Sequence, residues 1–473
     1  MISMGFNLAV VGAQWGDEGK GRVMELLIPG YMSHGRFDVT ARYQGGPNAG
    51  HTIYVEGVPV VLHSLPSGVL YEGLNNVMGN GVVVNPALVK AEIDGLRKVG
   101  INAKKGLHIS HQSPVILPHH IALEYVRSQS EEIDTTKQGI GPCYAAHAER
   151  MGAEVTDFFN SARHAERLIK QYDDELRISN RFQEAQKTRP RLAELNMDLD
   201  PERTADRYMR LFDELGSCVE DTVYLMNSHI RRGYNILFEG AQGTLLDRDH
   251  GTYPFVTSSS TVKAGVGVGL GVDPGVIDHT IGVMKAGYMT RVGNGFMVTE
   301  LGDPKSLRGE EKLRKDCQEF LALRERVMRG TASDYELGRY MRVAGGEYGA
   351  TTGRPRRTGW PDLVALDYAI MFGIDSLILT KLDVTDHVPE IKVCTEYKNS
   401  EGNITCRFDS RHLESYRPVY HAQKGWMTDT SKARNFDELP PEAKELVATI
   451  EQFRPVDMIC VGPEGHQTIN KAS

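Results

Sequence analysis

Along this chain, short apolar runs, glycine-rich turns and amphipathic stretches recur in a fixed order. Residues 8–11 form an apolar run that reads as a buried strand, and Arg22, Val23, Met24, Glu25, Leu26 and Leu27 then open a helix. Residues 38–43 predict a second strand, and 52–63 a hairpin turning at Glu56 and Gly57. Asn85 and Pro86 carry the start signals of a helix running to about Val99, with Ala87, Val89, Ile93 and Leu96 among its apolar positions. Leu107–Ser110 predicts a strand, 118–128 a helix, and 155–229 a mostly helical stretch whose charges mark a solvated face. Near its end Val219, Val223, Met226 and Ile230 share one helical face, and 234–238 returns to a strand. Residues 281–285 and 377–380 are further strand candidates. Helix followed by strand predicts a mostly parallel sheet. The expected fold is α/β: a single large domain over residues 1–473 around a mostly parallel central β-sheet. Residues 302–348 stand apart, because Leu313, Cys317, Phe320, Leu321, Val327 and Met328 recur at helical spacing among Arg, Lys and Glu. They predict an amphipathic surface helix within an inserted helical excursion.

Composition narrows the function classes. A net charge of −8 argues against a nucleic-acid binder held by phosphate contacts. Six cysteines (143, 218, 317, 394, 406 and 460) with no CxxC pair point to reduced thiols in a cytoplasmic protein without a zinc site. The first residues have no basic leader, and 262–272 alternates glycine with valine and is too short for a membrane span, so no membrane association is expected.

The candidate chemistry gathers at strand ends. In VVGAQWGDEGKGRVMELL (10–27), Gly12, Gly16, Gly19 and Gly21 let the backbone approach an anion at a helix N-terminus, and Lys20 adds positive charge. The usual P-loop spacing is absent, and Gly21 stands where a metal-binding hydroxyl would follow the lysine. Asp17 is the unusual member: a carboxylate facing phosphates repels them unless it holds a metal or takes a proton, which suggests chemistry as well as binding. An ordinary glycine-rich turn, with Asp17 and Glu18 favouring the helix N-terminus, is the alternative. A second turn, QGGPNAGHT (44–52), brings His51 to a strand end, as general acid, oxyanion stabiliser or solvated loop residue. DTTKQGIGPCY (134–144) reads as a third loop, and EGAQGT (239–244) as a polar turn after the strand at 234–238. TTGRPRRTGW (351–360) places three arginines where they can clamp carboxylate or phosphate, or form a basic turn. In TKLD (380–383), Asp383 can accept both N1–H and N2–H₂ of guanine, selecting GTP over ATP, or can be a plain strand-end residue.

Taken together, QWGDEGKG, NAGHT, GIGP, FEGAQGTLLD with DHGTYP, TRVG, GATTGR and RRTGW followed by TKLD resemble the adenylosuccinate synthetase family over residues 7 to about 465. The resemblance implies a GTP-dependent ligase that joins inosine monophosphate (IMP) to L-aspartate through a 6-phosphoryl intermediate. It implies Asp17 as the base and, with the Gly50 carbonyl, a ligand of Mg²⁺, and His51 as the group that stabilises charge on the 6-oxygen. GTP would be held by Gly16, Glu18, Gly19, Lys20, Gly21, Arg356, Lys381, Asp383 and Gly462. IMP would be held by Asn48, Thr136, Arg150, Gln242, Thr257, Val292 and Arg354, and aspartate by Thr351, Thr352 and Arg354. Arg150 matches an arginine that reaches the neighbouring subunit, implying a homodimer. The chain departs from the common bacterial pattern at Pro47, His147, Pro355 and Cys460 and in the length of its 302–348 excursion. A viral branch that makes 2-aminoadenylosuccinate from dGMP is expected to share the proline but to replace the loop aspartate, which is kept here. A GTP-binding protein without catalysis is the third reading, and retention of Asp17, Lys20, His51 and Arg354 argues against it.

Overall fold

The computed structural model describes residues 5–48, 50–55, 58–130, 135–178, 198–307, 309–349 and 353–471, with the backbone alone at 51–55, 58–59, 126–130 and 175–178. Its contacts group into two compact units. The first comprises Met1–Ala9, Ile28–Ala241 and Thr257–Asp278, and the second Val10–Leu27, Gln242–Val256 and His279–Ser473.

The first unit holds the first half of β1 (Asn7–Gly12), then β2 (Val39–Arg42), β3 (His51–Val55), β4 (Val58–Leu62), β5 (Asn75–Met78), β6 (Leu107–Ser110), β7 (Val219–Glu220) and β8 (Ile236–Glu239). β2 is buried along its whole length between parallel neighbours, pairing Val39 with Ile236 of β8 and with Asn75 of β5. Strands buried along their whole length belong to parallel sheets covered on both faces, and here the polar Thr40 and Arg42 are buried with partners, the Thr40 hydroxyl donating to Asn76 Oδ1 and Arg42 to the His63 carbonyl. One covering layer includes the helix Pro86–Lys98, whose N-cap Asn85 accepts from Ala87 and Leu88 and whose Val89, Ile93 and Leu96 are buried, as its sequence predicts. β3 and β4 form the expected hairpin, and its turn residues lie outside the described part.

The second unit holds β9 (His279–Lys285), β10 (Met289–Arg291), β11 (Arg357–Gly359), β12 (Ser376–Thr380), β13 (Glu390–Lys398), β14 (Ile404–Thr405), β15 (Arg417–Lys424), β16 (Val456–Cys460) and β17 (Thr468–Asn470). β9, β12 and β16 are parallel, β17 is antiparallel at the edge, and β13 with β14 and β15 makes a separate antiparallel sheet. The mostly parallel sheet has ten strands in the order β17-β16-β12-β9-β1-β8-β2-β5-β6-β7. Chemistry in such sheets gathers at the carboxyl ends of strands, which is where the glycine-rich turns lie.

Three local readings need correction. Val219 is not on the helix with Met226, because Asp221 caps the backbone N–H groups of Val223 and Tyr224 and starts the helix at Thr222. Residues 140–144 are not loop but the first turns of the helix Ile140–Ala148, which tolerates Pro142 near its start. In the excursion the buried face of Gln318–Met328 is Phe320, Leu323 and Val327, at i, i+3 and i+7, while Leu321 and Met328 lie off that stripe and are exposed. A second helix, Asp334–Gly345, follows with a full capping box from Ser333 and Glu336, and Tyr340 stacks on Phe320 at 5.7 Å. No described helix is long and apolar enough to cross a membrane.

Candidate active site

The loop after β1 is built around a buried acid. Glu18 Oε1 accepts from the backbone N–H of Gln14 (3.2 Å) and Gly16 (2.9 Å), and Oε2 takes Lys20 Nζ at 2.6 Å. Its backbone carbonyl accepts from Thr380 Oγ1 at 2.5 Å. The fit is close: a Cβ on Gly12 would lie 2.6 Å from both carboxylate oxygens, and one on Gly243 2.4 Å from Oε1. Gly16 (φ 83°), Asp17 (φ 56°) and Gly19 (φ 95°) all take left-handed backbone, which costs a non-glycine residue. That turn sets Asp17 outward. Its carboxylate is 37% exposed and pairs with Arg356 Nε at 2.6 Å, whereas Glu18 is fully buried. Adjacent acids thus have opposite surroundings. The helix Lys20–Leu27 begins at the lysine, so its free N–H groups point back into this loop.

Around it, Gln242 (φ 57°) also adopts left-handed backbone, and its Oε1 is buried with no partner among the described residues. A buried acceptor left open next to a phosphate loop is a place for a ligand donor. The Val292 N–H donates to the Trp15 carbonyl at 3.2 Å. Arg291, 1% exposed, braces that turn through the carbonyls of Asn294 (2.8 Å) and Phe296 (3.0 Å) and the Thr252 hydroxyl (2.9 Å).

At the end of β12, Lys381 (φ 56°) donates to the Gly345 carbonyl (2.9 Å) and to Glu347 Oε1 (2.7 Å). Glu347 also takes Lys285 Nζ on Oε2 at 2.8 Å and the Tyr288 hydroxyl on Oε1 at 2.5 Å. Burial pushes the Glu347 carboxyl up, but the Lys285 and Lys381 ammonium groups overcome it and hold it at about 2. Burial pushes the Lys285 ammonium down to about 8 against the pull of Glu347. Asp383 lies half-buried beside this cluster, its carboxyl shifted up by burial. Gly462 follows β16, and a Cβ there would lie 2.3 Å from Gln467 Oε1.

The three arginines at 354–357 do not act as one clamp. Arg357 is committed to Glu300, with Nε to Oε1 at 2.7 Å and Nη2 to Oε2 at 2.5 Å, while Arg356 faces Asp17 and Arg354 is exposed. Thr351 and Thr352 lie outside the described residues, as does the side chain of His51.

In the first unit, Asn48 Oδ1 accepts from the Gly46 N–H (3.3 Å) and its Nδ2 reaches Thr257 Oγ1 at 3.5 Å, which brings two expected IMP residues together. The turn below them is fixed by Gln44, which accepts from Ser259 Oγ (2.7 Å) and donates to the Ala241 carbonyl (2.6 Å). Tyr144 adds a donation to the Gly81 carbonyl (2.7 Å) and accepts from the Gly45 N–H (3.0 Å). Pro47 is buried in this turn, Thr136 is exposed, and Arg150 (φ 63°) is exposed on left-handed backbone. Gln44 stood within a turn marked in the sequence. Glu347, Lys285 and Tyr288 carried no motif, although Lys285 ends a strand that the pattern predicts.

The adenylosuccinate synthetase family model matches residues 9–469. An adenylosuccinate synthetase of Alcanivorax borkumensis is 38% identical over 99% of each chain, and one of Caldanaerobacter subterraneus is 40% identical over 97% of this chain and 98% of that one. Among solved structures, a fully ligated adenylosuccinate synthetase from Plasmodium falciparum is 32% identical and superposes with a TM-score of 0.80, covering 98% of this chain and 99% of that one. A cyanophage S-2L succinoaminodeoxyadenylate synthetase bound to dGMP and dATP is 18% identical with a TM-score of 0.55, covering 99% of this chain and 95% of that one, a likeness of fold alone. The chain belongs to the adenylosuccinate synthetase family and is a ligase of that kind, joining inosine monophosphate to L-aspartate with GTP.

Proposed function

We propose that the loops described above divide that ligation among named residues. Asp17 takes the N1 proton of IMP, which moves an electron pair onto the 6-oxygen; that oxygen attacks the γ-phosphorus of GTP, and GDP leaves. The amine of L-aspartate then attacks C6, and phosphate departs with the 6-oxygen. His51 stabilises the charge that develops on that oxygen. Lys20 and the N–H groups of Gly19 and Gly21 hold the GTP phosphates with Arg356 in the loop that Gly16 shapes, and Lys381, Asp383 and Gly462 take the guanine. Asn48, Thr136, Gln242, Thr257, Val292 and Arg354 hold IMP. Thr351, Thr352 and Arg354 hold aspartate.

The observation that carries the reading is the pose of Asp17. Strained left-handed backbone presents its carboxylate to solvent beside Arg356, while the neighbouring Glu18 is spent inside the loop. A loop that only bound phosphate has no need of that outward acid. Mg²⁺ fits the donor set, because the Asp17 carboxylate and the Gly50 carbonyl are both oxygen donors and this ion takes few protein ligands. When bound, the ion neutralises charge on the transferring phosphoryl group. The exposed Arg150, on left-handed backbone, supports a homodimer in which it reaches the partner's nucleotide. Unpaired cysteines and a chain free of CxxC pairs suit a cytoplasmic enzyme. Asp17→Asn tests the assignment: kcat should fall by about 10²–10⁴ with the KM for GTP changed little, and an unchanged kcat would remove Asp17 as the base.

A further inference from the structure

The excursion's second helix, Asp334–Gly345, makes two polar contacts with the residues read as the guanine side of the site. Tyr340, 4% exposed, donates its hydroxyl to the Asp386 carbonyl at 2.9 Å. Asp386 closes the short 3₁₀ turn Leu382–Thr385, and its own N–H donates to the Asp383 carbonyl at 3.1 Å. One hydroxyl thus grips the turn that carries Asp383. The helix then stops at Gly346 (φ 65°), and the Gly345 carbonyl, in a last turn whose acceptors need outside donors, takes Lys381 Nζ at 2.9 Å. Apolar packing joins the same parts. Leu382 and Val384 of the turn are buried in one cluster with Tyr340 and with Phe320, Leu323 and Val327 of the excursion's first helix. Burial raises the Asp383 carboxyl, and the ammonium groups of Lys315, in the excursion, and of Lys381 pull against it.

We propose that the excursion sets the preference for guanine, with Tyr340 as a positioning residue that fixes the Asp383 turn while the helix end at Gly345 fixes Lys381. This rests on the reading of Asp383 and Lys381 given above. Two hydrogen bonds to one base edge need both carboxylate oxygens close to the plane of that edge, so a small rotation of the turn weakens them. Asp386 is also held through its carboxylate, which accepts from Trp426 Nε1 at 2.6 Å and from the Thr430 N–H at 2.9 Å. Those bonds secure its side chain. The hydroxyl of Tyr340 secures the backbone that leads back to Asp383.

The test is steady-state kinetics of the full chain with GTP or ITP as phosphoryl donor, since ITP lacks only the N2 amine of guanine. Tyr340→Phe removes the hydroxyl and keeps the ring on Phe320. It should raise the KM for GTP about fivefold, as for the loss of one neutral hydrogen bond, and the KM for ITP about twofold, with the constants for IMP and aspartate changed less than about twofold. The preference for GTP over ITP in kcat/KM therefore narrows. Asp383→Asn should narrow it alone, and adding Tyr340→Phe to Asp383→Asn should change it little further. If Asp383→Asn leaves the preference unchanged, the guanine assignment fails and the inference falls with it. If Asp383→Asn has its effect but Tyr340→Phe only lowers the melting temperature, or narrows the preference equally with and without Asp383, the positioning role alone is refuted.

Discussion

Replacing Glu18 by glutamine tests whether that residue is framework or ligand contact. The resemblance implies a GTP contact, whereas the structure shows a carboxylate used up within its own loop. An amide keeps one oxygen, enough to accept from the Gln14 and Gly16 N–H groups. Its NH₂ then faces Lys20 Nζ across a gap of 2.6 Å, donor against donor. The charge-assisted bond is lost, and Lys20, 11% exposed, keeps little water to replace it. Removing one partner of a buried pair costs about 3–5 kcal/mol, and the slight exposure of Lys20 sets the lower value, about 3 kcal/mol. Unfolding entropy of about 2.1 cal/mol/K per residue gives a chain of 473 residues about 1 kcal/mol/K, so the melting temperature should fall by about 3 °C. Glu18→Ala should fall further, because two buried N–H groups are then left unpaired at about 1–3 kcal/mol each. The assay is a calorimetric melt of both variants without nucleotide. Melting within 1 °C of the parent, with a raised KM for GTP, would show that Glu18 serves the nucleotide and not the loop.

Other perturbations follow from the same geometry. Gly243→Ala places a Cβ 2.4 Å from the Gln14 carbonyl as well as from Glu18, so it should cost about 1–3 kcal/mol in urea unfolding, and a neutral result would mean that the loop can yield. Glu310→Gln breaks a buried pair with Arg342, whose Nε and Nη2 reach the two carboxylate oxygens at 2.8 and 2.5 Å, and should cost about 3–5 kcal/mol in the same assay. The Glu347 carboxyl is held at about 2 in the folded chain against 4.5 when free, so the unfolded state binds the extra proton as pH falls. Its contribution, up to about 3 kcal/mol, is complete above pH 4.5 and lost between there and pH 2. The stability gap between parent and Glu347→Gln should therefore narrow over that window, and a constant gap would contradict the ionised pair.

Where one periodicity dominates, the sequence is legible. β1, β6, β9 and β12, and the helix Pro86–Lys98, lie where runs of apolar residues and capping signals put them. β5, β7 and the edge pair β16–β17 were not foreseen, because short strands with residues such as Asn75, Asn76 or Asp457 carry weak alternation and depend on neighbours for burial. The excursion misled for a different reason: Leu321 and Met328 are apolar but point away from the packed face, so counting apolar residues blurs the stripe that Phe320, Leu323 and Val327 define. At the site, glycines and charged residues announced the loops. They did not announce which charges are internal. Glu18 and Asp17 are adjacent acids in one motif, and only the left-handed turn at Gly16 and Asp17 separates the buried brace from the exposed carboxylate. Likewise Arg357 reads as part of an anion clamp until Glu300, 57 residues away, appears beside it. Long-range pairing of this kind has no local signal.

The most direct test of the account is turnover by the purified protein with GTP, Mg²⁺ and L-aspartate, offering IMP and dGMP separately and following products by chromatography. Adenylosuccinate formed from IMP, with GDP and phosphate in equal amounts and little reaction of dGMP, is the predicted result. Preference for dGMP would contradict the substrate reading and make the buried Pro47 beside Asn48 the first position to change, and no turnover of either despite GTP binding would contradict the role given to Asp17.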